Sequence, residues 1–69
     1  MNQNTSHQLT FDEAVEVWLR HWLGEYQHRI AARYDVNPGR VNEVLKRRRH
    51  AGSEERAEQI AARGETDAA

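Results

Sequence analysis

The sequence predicts an all-α fold, in which a three-helix domain is followed by a short fourth helix. Apolar residues recur at helical spacing in four segments, and residues typical of helix starts and stops bracket these segments. No segment alternates apolar and polar residues as a half-buried strand does. The chain has 69 residues and no cysteine, so it is limited to one small domain without disulfides or thiolate-bound zinc.

The first helix is predicted over residues 11–23. Thr10 and Glu13 have the spacing of a capping box, in which each side chain accepts a hydrogen bond from the other residue's backbone amide. Gly24 supplies the left-handed conformation that ends many helices. Val17 falls outside the predicted inward arc. The residues on that arc are Phe11, Ala14, Val15, Trp18, Leu19, Trp22 and Leu23. The preceding residues 1–9 are mostly polar and are predicted to be a disordered leader.

The second helix is predicted over residues 26–34, with Ile30, Ala31 and Tyr34 facing inward. Asp35 is expected to end it, because Asp tolerates the left-handed conformation better than most residues. Val36 is predicted to be buried between the second and third helices.

The third helix is predicted over residues 38–49. Asn37 is a favourable N-cap, and Pro38 stands at the first helical position, where a missing amide hydrogen costs nothing. The inward face is expected to carry Val41, Val44 and Leu45. Residues 10–50 would then form one domain.

A fourth helix is predicted over residues 53–63, with Ser53 as its cap and Gly64 as its end. Ala57, Ile60 and Ala61 share one face, so residues 51–64 are a candidate dimerisation helix. Residues 65–69 are predicted to be a disordered tail.

The net charge of −1 conceals a segregation of charge along the chain. Residues 1–26 carry four acids and one base, which gives −3. Residues 27–50 carry seven bases and two acids, which gives +5, and residues 51–69 carry five acids and two bases, which gives −3. A basic segment between acidic flanks is suited to a polyanion, because local rather than total charge steers such ligands.

Residues 27–45, QHRIAARYDVNPGRVNEVL, resemble the helix-turn-helix of bacterial and phage DNA-binding proteins. The resemblance lies in the packing pair Ile30 and Ala31, a turn made by residues 35–37, and the inward positions of the third helix. Gly24 also matches resolvase- and invertase-like members. Asp35 departs from the family's preferred glycine, and Tyr26 departs from its frequent Ser or Thr. The family implies that the helix over residues 38–49 lies in the major groove.

The resemblance and the charge pattern together yield candidate DNA contacts. Those expected at base edges are Gly39, Arg40, Asn42, Glu43 and Lys46, since Asn can pair with adenine and Arg with guanine. Those expected at phosphates are Gln27, His28, Asn37, Arg47, Arg48 and Arg49. Simpler interpretations stand beside these: a helical ion pair of Glu43 with Arg47, a solvated basic helix end, and a purely capping Asn37.

Two tryptophans on the first helix are more than a small core easily buries. One interpretation places both in the core. The other makes Trp18 and Trp22, together with Ile60, a dimer interface, because aromatic residues are enriched at such surfaces. A single short helix reads too few base pairs for selective binding, which also favours a homodimer.

Nothing in the sequence indicates an enzyme. His7, His21, His28 and His50 lack metal-ligand spacing, so we expect no metal and no cofactor. Adjacent acids such as Asp12 and Glu13 diverge on a helix and cannot share a proton. Apolar runs are too short to span a membrane.

The leading hypothesis is therefore a cytoplasmic homodimeric regulator of phage or mobile-element type from a bacterium, associated with the nucleoid when bound. We expect it to repress transcription by occupying an inverted-repeat operator in double-stranded DNA, without a small-molecule effector. The alternatives are a DNA-docking subunit of a packaging, recombination or excision assembly, and a protein-interaction module.

Overall fold

The computed structural model describes residues 8–64, which form four α-helices: α1 (Phe11–Trp22), α2 (Gln27–Tyr34), α3 (Pro38–Leu45) and α4 (Ser53–Arg63). No strand is present between residues 8 and 64, which confirms the predicted all-α fold. α1 packs against each of the other three helices, and α2 packs against α3. Residues 1–7 of the predicted leader and the predicted tail lie outside the described residues.

The capping box at the start of α1 is confirmed. The Thr10 amide donates to Glu13 Oε1 at 2.9 Å, and the Glu13 amide donates to Thr10 Oγ1 at 3.1 Å. The helix ends at Trp22, one residue earlier than predicted, and Gly24 adopts the expected positive φ of 94°.

The predicted inward arc of α1 is wrong at both margins. Val17 is fully buried, whereas Phe11, Trp22 and Leu23 are exposed. Val17 is buried because α1 contacts three helices, so its buried face includes a position that a two-helix contact would leave in water. Leu23 is the C-cap of α1 and lies beyond the part of the helix that the other helices cover.

The predicted leader also ends too late, because Leu9 is a core residue and is 5% exposed. The Leu9 carbonyl accepts a hydrogen bond from His50 Nε2 at 2.7 Å. Its neighbours in the buried core are Ala14, Val15, Val17, Trp18, Ile30, Ala31, Val41, Val44 and Ala57.

α2 begins at Gln27, one residue later than predicted, and Tyr26 is an N-cap without a side-chain hydrogen bond. Asp35 closes the helix in the left-handed conformation, with φ 58° and ψ 44°, as predicted. The Val36 and Asp35 amides donate to the Ala31 and Ala32 carbonyls, which is the hydrogen-bond pattern of a Schellman motif. Val36 itself is half-buried, so its predicted burial is only partly realised.

α3 ends at Leu45, four residues before the predicted end at Arg49. A second Schellman pattern closes it: the Arg48 amide donates to Glu43 and the Arg47 amide donates to Val44, with Arg47 at φ 62°. A non-glycine residue in this conformation costs about 1–2 kcal/mol, so contacts of the Arg47 side chain must offset the strain.

α4 has the predicted bounds, and Gly64 ends it at φ 76°. The predicted cap is wrong. Gly52 is the N-cap, and Ser53 is the first helical residue, 1% exposed, whose hydroxyl accepts a hydrogen bond from Trp18 Nε1 at 3.1 Å.

Candidate nucleic-acid interface

The start of α3 is exposed and is closed by its own cap. Asn37 Oδ1 accepts a hydrogen bond from the Gly39 amide at 2.7 Å. A Cβ at Gly39 would lie 3.1 Å from the same oxygen, so glycine leaves room for the cap. The first turn of α3 carries no acid. The positive end of the helix is therefore left without a neutralising carboxylate.

Three of the predicted base contacts lie on the half-buried flank of α3. Glu43 is central there, with Oε2 3.0 Å from Arg40 Nη1 and Oε1 3.2 Å from Arg49 Nε. The second contact is an ion pair without hydrogen-bond geometry. Asn42 is half-buried beside them, while Gly39 and Lys46 are exposed. The expected pairing of Glu43 with Arg47 is wrong, because α3 ends before Arg47.

Arg47 contacts α1 and α4 instead. Its Nε and Nη2 atoms donate to the two carboxylate oxygens of Glu54, at 2.6 and 3.0 Å, and its guanidinium lies 5.5 Å from the centre of the Trp18 ring. Hydrogen bonding to Glu54 raises the pKa of Arg47 above its usual range. These contacts hold the left-handed residue that closes α3.

Acids from outside the basic segment pair with part of its charge. Arg33 Nη2 lies 2.8 Å from Glu25 Oε2, and Arg47 binds Glu54, so both acidic flanks contribute. Within residues 8–64, the bases of this segment that make no ion pair are Arg29, Lys46 and Arg48. All three are exposed. The remaining positive surface is thus smaller than the segment charge of +5 indicates.

The start of α2 carries two of the predicted phosphate contacts. Gln27 is half-buried and His28 is exposed. The His28 ring stacks on the Tyr26 ring, with centroids 6.0 Å apart and planes 10° apart. This stack restricts the orientation of His28 at the exposed end of α2.

A polar network fixes α2 on α1. Tyr34 Oη donates to Glu16 Oε1 and accepts from Arg20 Nε at 3.4 Å, and Arg20 also lies 3.8 Å from Glu25. Burial, reinforced by the Glu16 bond, raises the pKa of Tyr34. The Arg33 hydrogen bond lowers the pKa of Glu25. The network therefore joins α1, the turn after it and α2.

The three residues of the predicted dimer interface differ in exposure. Trp18 is 4% exposed and belongs to the core, so its predicted place at an interface is wrong. Ile60 is half-buried and packs against the core. Trp22 is exposed, its ring 5.8 Å from that of Trp18.

Sequence reasoning missed Glu25 and Glu54 as partners of the basic segment. Each lies seven or eight residues from its arginine, beyond a helix end, where helical spacing gives no signal. The glycines before α2 and α4 indicated turns but not which side chains the turns bring together.

No family model, curated protein or solved structure matches the chain. Between residues 8 and 64, no helix has the length and apolar character needed to cross a bilayer. The same stretch contains no cluster of three or more His, Asp or Glu placed to hold a metal ion.

Proposed function

We propose that the chain binds double-stranded DNA sequence-specifically as a helix-turn-helix protein, with α3 in the major groove. The α2–α3 unit is the observation that supports this best. Two eight-residue helices are joined by residues 35–37, with a left-handed Asp35 and a side-chain cap from Asn37. This combination agrees with the resemblance of residues 27–45 and with the short turn of the motif.

The surface around α3 favours a polyanion. Within residues 8–64, Arg29, Lys46 and Arg48 make no ion pair and supply positive charge, and the first turn of α3 carries no acid that would repel a phosphate. Asn42 is the proposed adenine reader on α3. Arg40 is the proposed guanine reader, and its guanidinium is held beside α3 by the ion pair with Glu43.

The proposed biological role is that of a homodimeric transcriptional regulator, which represses by occupying an inverted-repeat operator. An eight-residue helix reaches only about 3–5 base pairs, too few for a selective site, so a second copy supplies the second half-site. The protein would act in the cytoplasm, at the nucleoid.

Selection of bound sites from a random DNA pool tests this proposal, followed by gel shifts on the enriched site at several salt concentrations. We expect a palindrome and a steep salt dependence. Arg48→Ala is expected to weaken binding to all sequences alike and to reduce the salt slope by about 0.9, as loss of one phosphate contact does. Arg56→Ala is the matched control, because it makes the same change at an exposed arginine of α4 that has no ion pair within the described part of the chain. No enrichment, or equal effects of both variants, would refute the proposal.

A protein-interaction module is the second candidate, favoured by the exposed Trp22, Leu23 and Tyr26. It predicts no enriched DNA sequence in the same selection. A DNA-docking subunit of a packaging or recombination assembly would bind DNA as a ring or larger complex, which a mass measurement separates from a dimer.

A further inference from the structure

The corner between α1 and α2 presents three large apolar side chains to solvent, Trp22, Leu23 and Tyr26, which we call the corner patch. Their exposed fractions are 43%, 84% and 69%. The Trp22 ring lies against the buried Trp18 ring, so the patch extends the core to the surface. Adjacent exposed side chains of this size favour contact with another apolar surface.

Most charges behind the corner patch are paired, and Arg29 is the one base beside it that makes no ion pair within residues 8–64. Glu16, Arg20, Glu25 and Arg33 are two acids and two bases, linked through the Tyr34 hydroxyl and direct ion pairs. A two-fold interface apposes each surface to itself. The basic turn after α3 and the acidic first turn of α4 would therefore repel their own copies, whereas at the corner patch Arg29 alone adds an unpaired charge, among the described residues.

The size of the corner patch agrees with a small interface. Given the area of such side chains, its exposed part amounts to roughly 350 Å² per copy. A stable interface covers about 800 Å² per partner, so the patch is the centre of a contact that polar neighbours must complete. The expected dimer is weak and reversible.

We propose that the corner patch is the surface through which two copies of this chain form a homodimer. Of the residues predicted for the dimer interface, this surface keeps Trp22 and adds Leu23 and Tyr26. Trp18 and Ile60 are left out because they already pack within the single chain. This inference extends the proposed function by placing the contact between its two copies, away from α3.

Sedimentation equilibrium of the full chain without DNA tests the proposal. We expect a reversible monomer–dimer equilibrium in the wild type. Leu23→Glu, which would place two carboxylates across the two-fold axis, is expected to raise the dimer dissociation constant about tenfold or more. Trp22→Ala should do the same by removing an aromatic anchor.

Phe11→Ala is the matched control, because Phe11 is also an aromatic residue of α1, is 41% exposed, and lies at the opposite end of the helix. It should leave dimerisation unchanged. Circular dichroism checks that each variant is folded, and the largely exposed Leu23 makes that variant safe for the fold.

A wild type that stays monomeric at every concentration overturns the proposal. So does an oligomer that neither patch variant weakens, or one that Phe11→Ala weakens equally. Failure of the dimer proposal can be distinguished from failure of the proposed DNA binding. Leu23→Glu should still bind a single half-site, and Arg48→Ala should still dimerise.

Discussion

Ser53 is the polar side chain that joins α4 to the core, and Trp18 is its partner. The indole Nε1 donates to the serine hydroxyl at 3.1 Å, and both residues are buried. Ser53→Ala leaves a buried N–H without a partner, which costs about 1–3 kcal/mol. We expect this loss in the free energy of unfolding measured with urea.

A double-mutant cycle separates the hydrogen bond from the loss of volume. Trp18→Phe removes the donor, and in that background Ser53→Ala should cost less by about 1 kcal/mol. Equal costs of Ser53→Ala in both backgrounds would show that the bond contributes nothing to stability.

The N-cap of α3 allows a test of what stabilises a single helix. Asn37 Oδ1 accepts a hydrogen bond from the Gly39 amide, and Asn37 is exposed. Asn37→Ala should lower the free energy of unfolding by about 1 kcal/mol. Asn37→Ser should cause only a small part of that loss, because a serine hydroxyl can also accept the hydrogen bond. If Ser and Ala behave alike in urea unfolding, the cap does not stabilise α3.

Tyr34 links α2 to α1, and its titration should make the free energy of unfolding fall at alkaline pH. The pKa of Tyr34 is raised by burial and by its bond to Glu16, so the unfolded chain loses the phenolic proton first as pH rises past about 10. The stabilising contribution is complete below that pH and is lost as pH rises through the folded pKa. Urea unfolding across this range should show a smaller decline in Tyr34→Phe than in the wild type. Tyr26→Phe, at the exposed corner patch, should decline as the wild type does.

The starts of α1 and α3 were predictable from the sequence, whereas the end of α3 and part of the buried face of α1 were not. Thr10 and Asn37 act through residues two or three positions away, so a local pattern suffices to find them. The end of α3 depends on Arg47, a residue with poor left-handed propensity, which Glu54 and Trp18 hold from other helices. The burial of Val17 likewise depends on the number of helices around α1. The candidate DNA contacts were predicted as a set, but the acids that pair with them were not, because those acids come close only in the fold.

At the scale of the whole molecule, the three charge segments interact with one another. Glu25 and Glu54 bring acidic side chains from both flanks onto the basic segment. The proposed DNA-binding surface therefore keeps Arg29, Lys46 and Arg48 as its uncompensated charges. Under the proposed function, ion pairs at Arg33, Arg40, Arg47 and Arg49 would lower the general attraction to DNA and leave a larger share of the affinity to directional contacts.

Removing one of these acids should strengthen indiscriminate binding. Glu54→Gln releases the charge of Arg47 to solvent, where its side chain is already 65% exposed. We expect tighter binding to DNA of unrelated sequence, a salt slope steeper by about 0.9, and a smaller preference for the selected site. Glu55→Gln is the matched control, since it changes the net charge equally at a neighbouring exposed residue that makes no ion pair within residues 8–64. Fluorescence anisotropy titrations at several salt concentrations measure all three quantities. The same change in both variants would mean that total charge governs DNA affinity, and the pairing of Arg47 with Glu54 would then have no particular role.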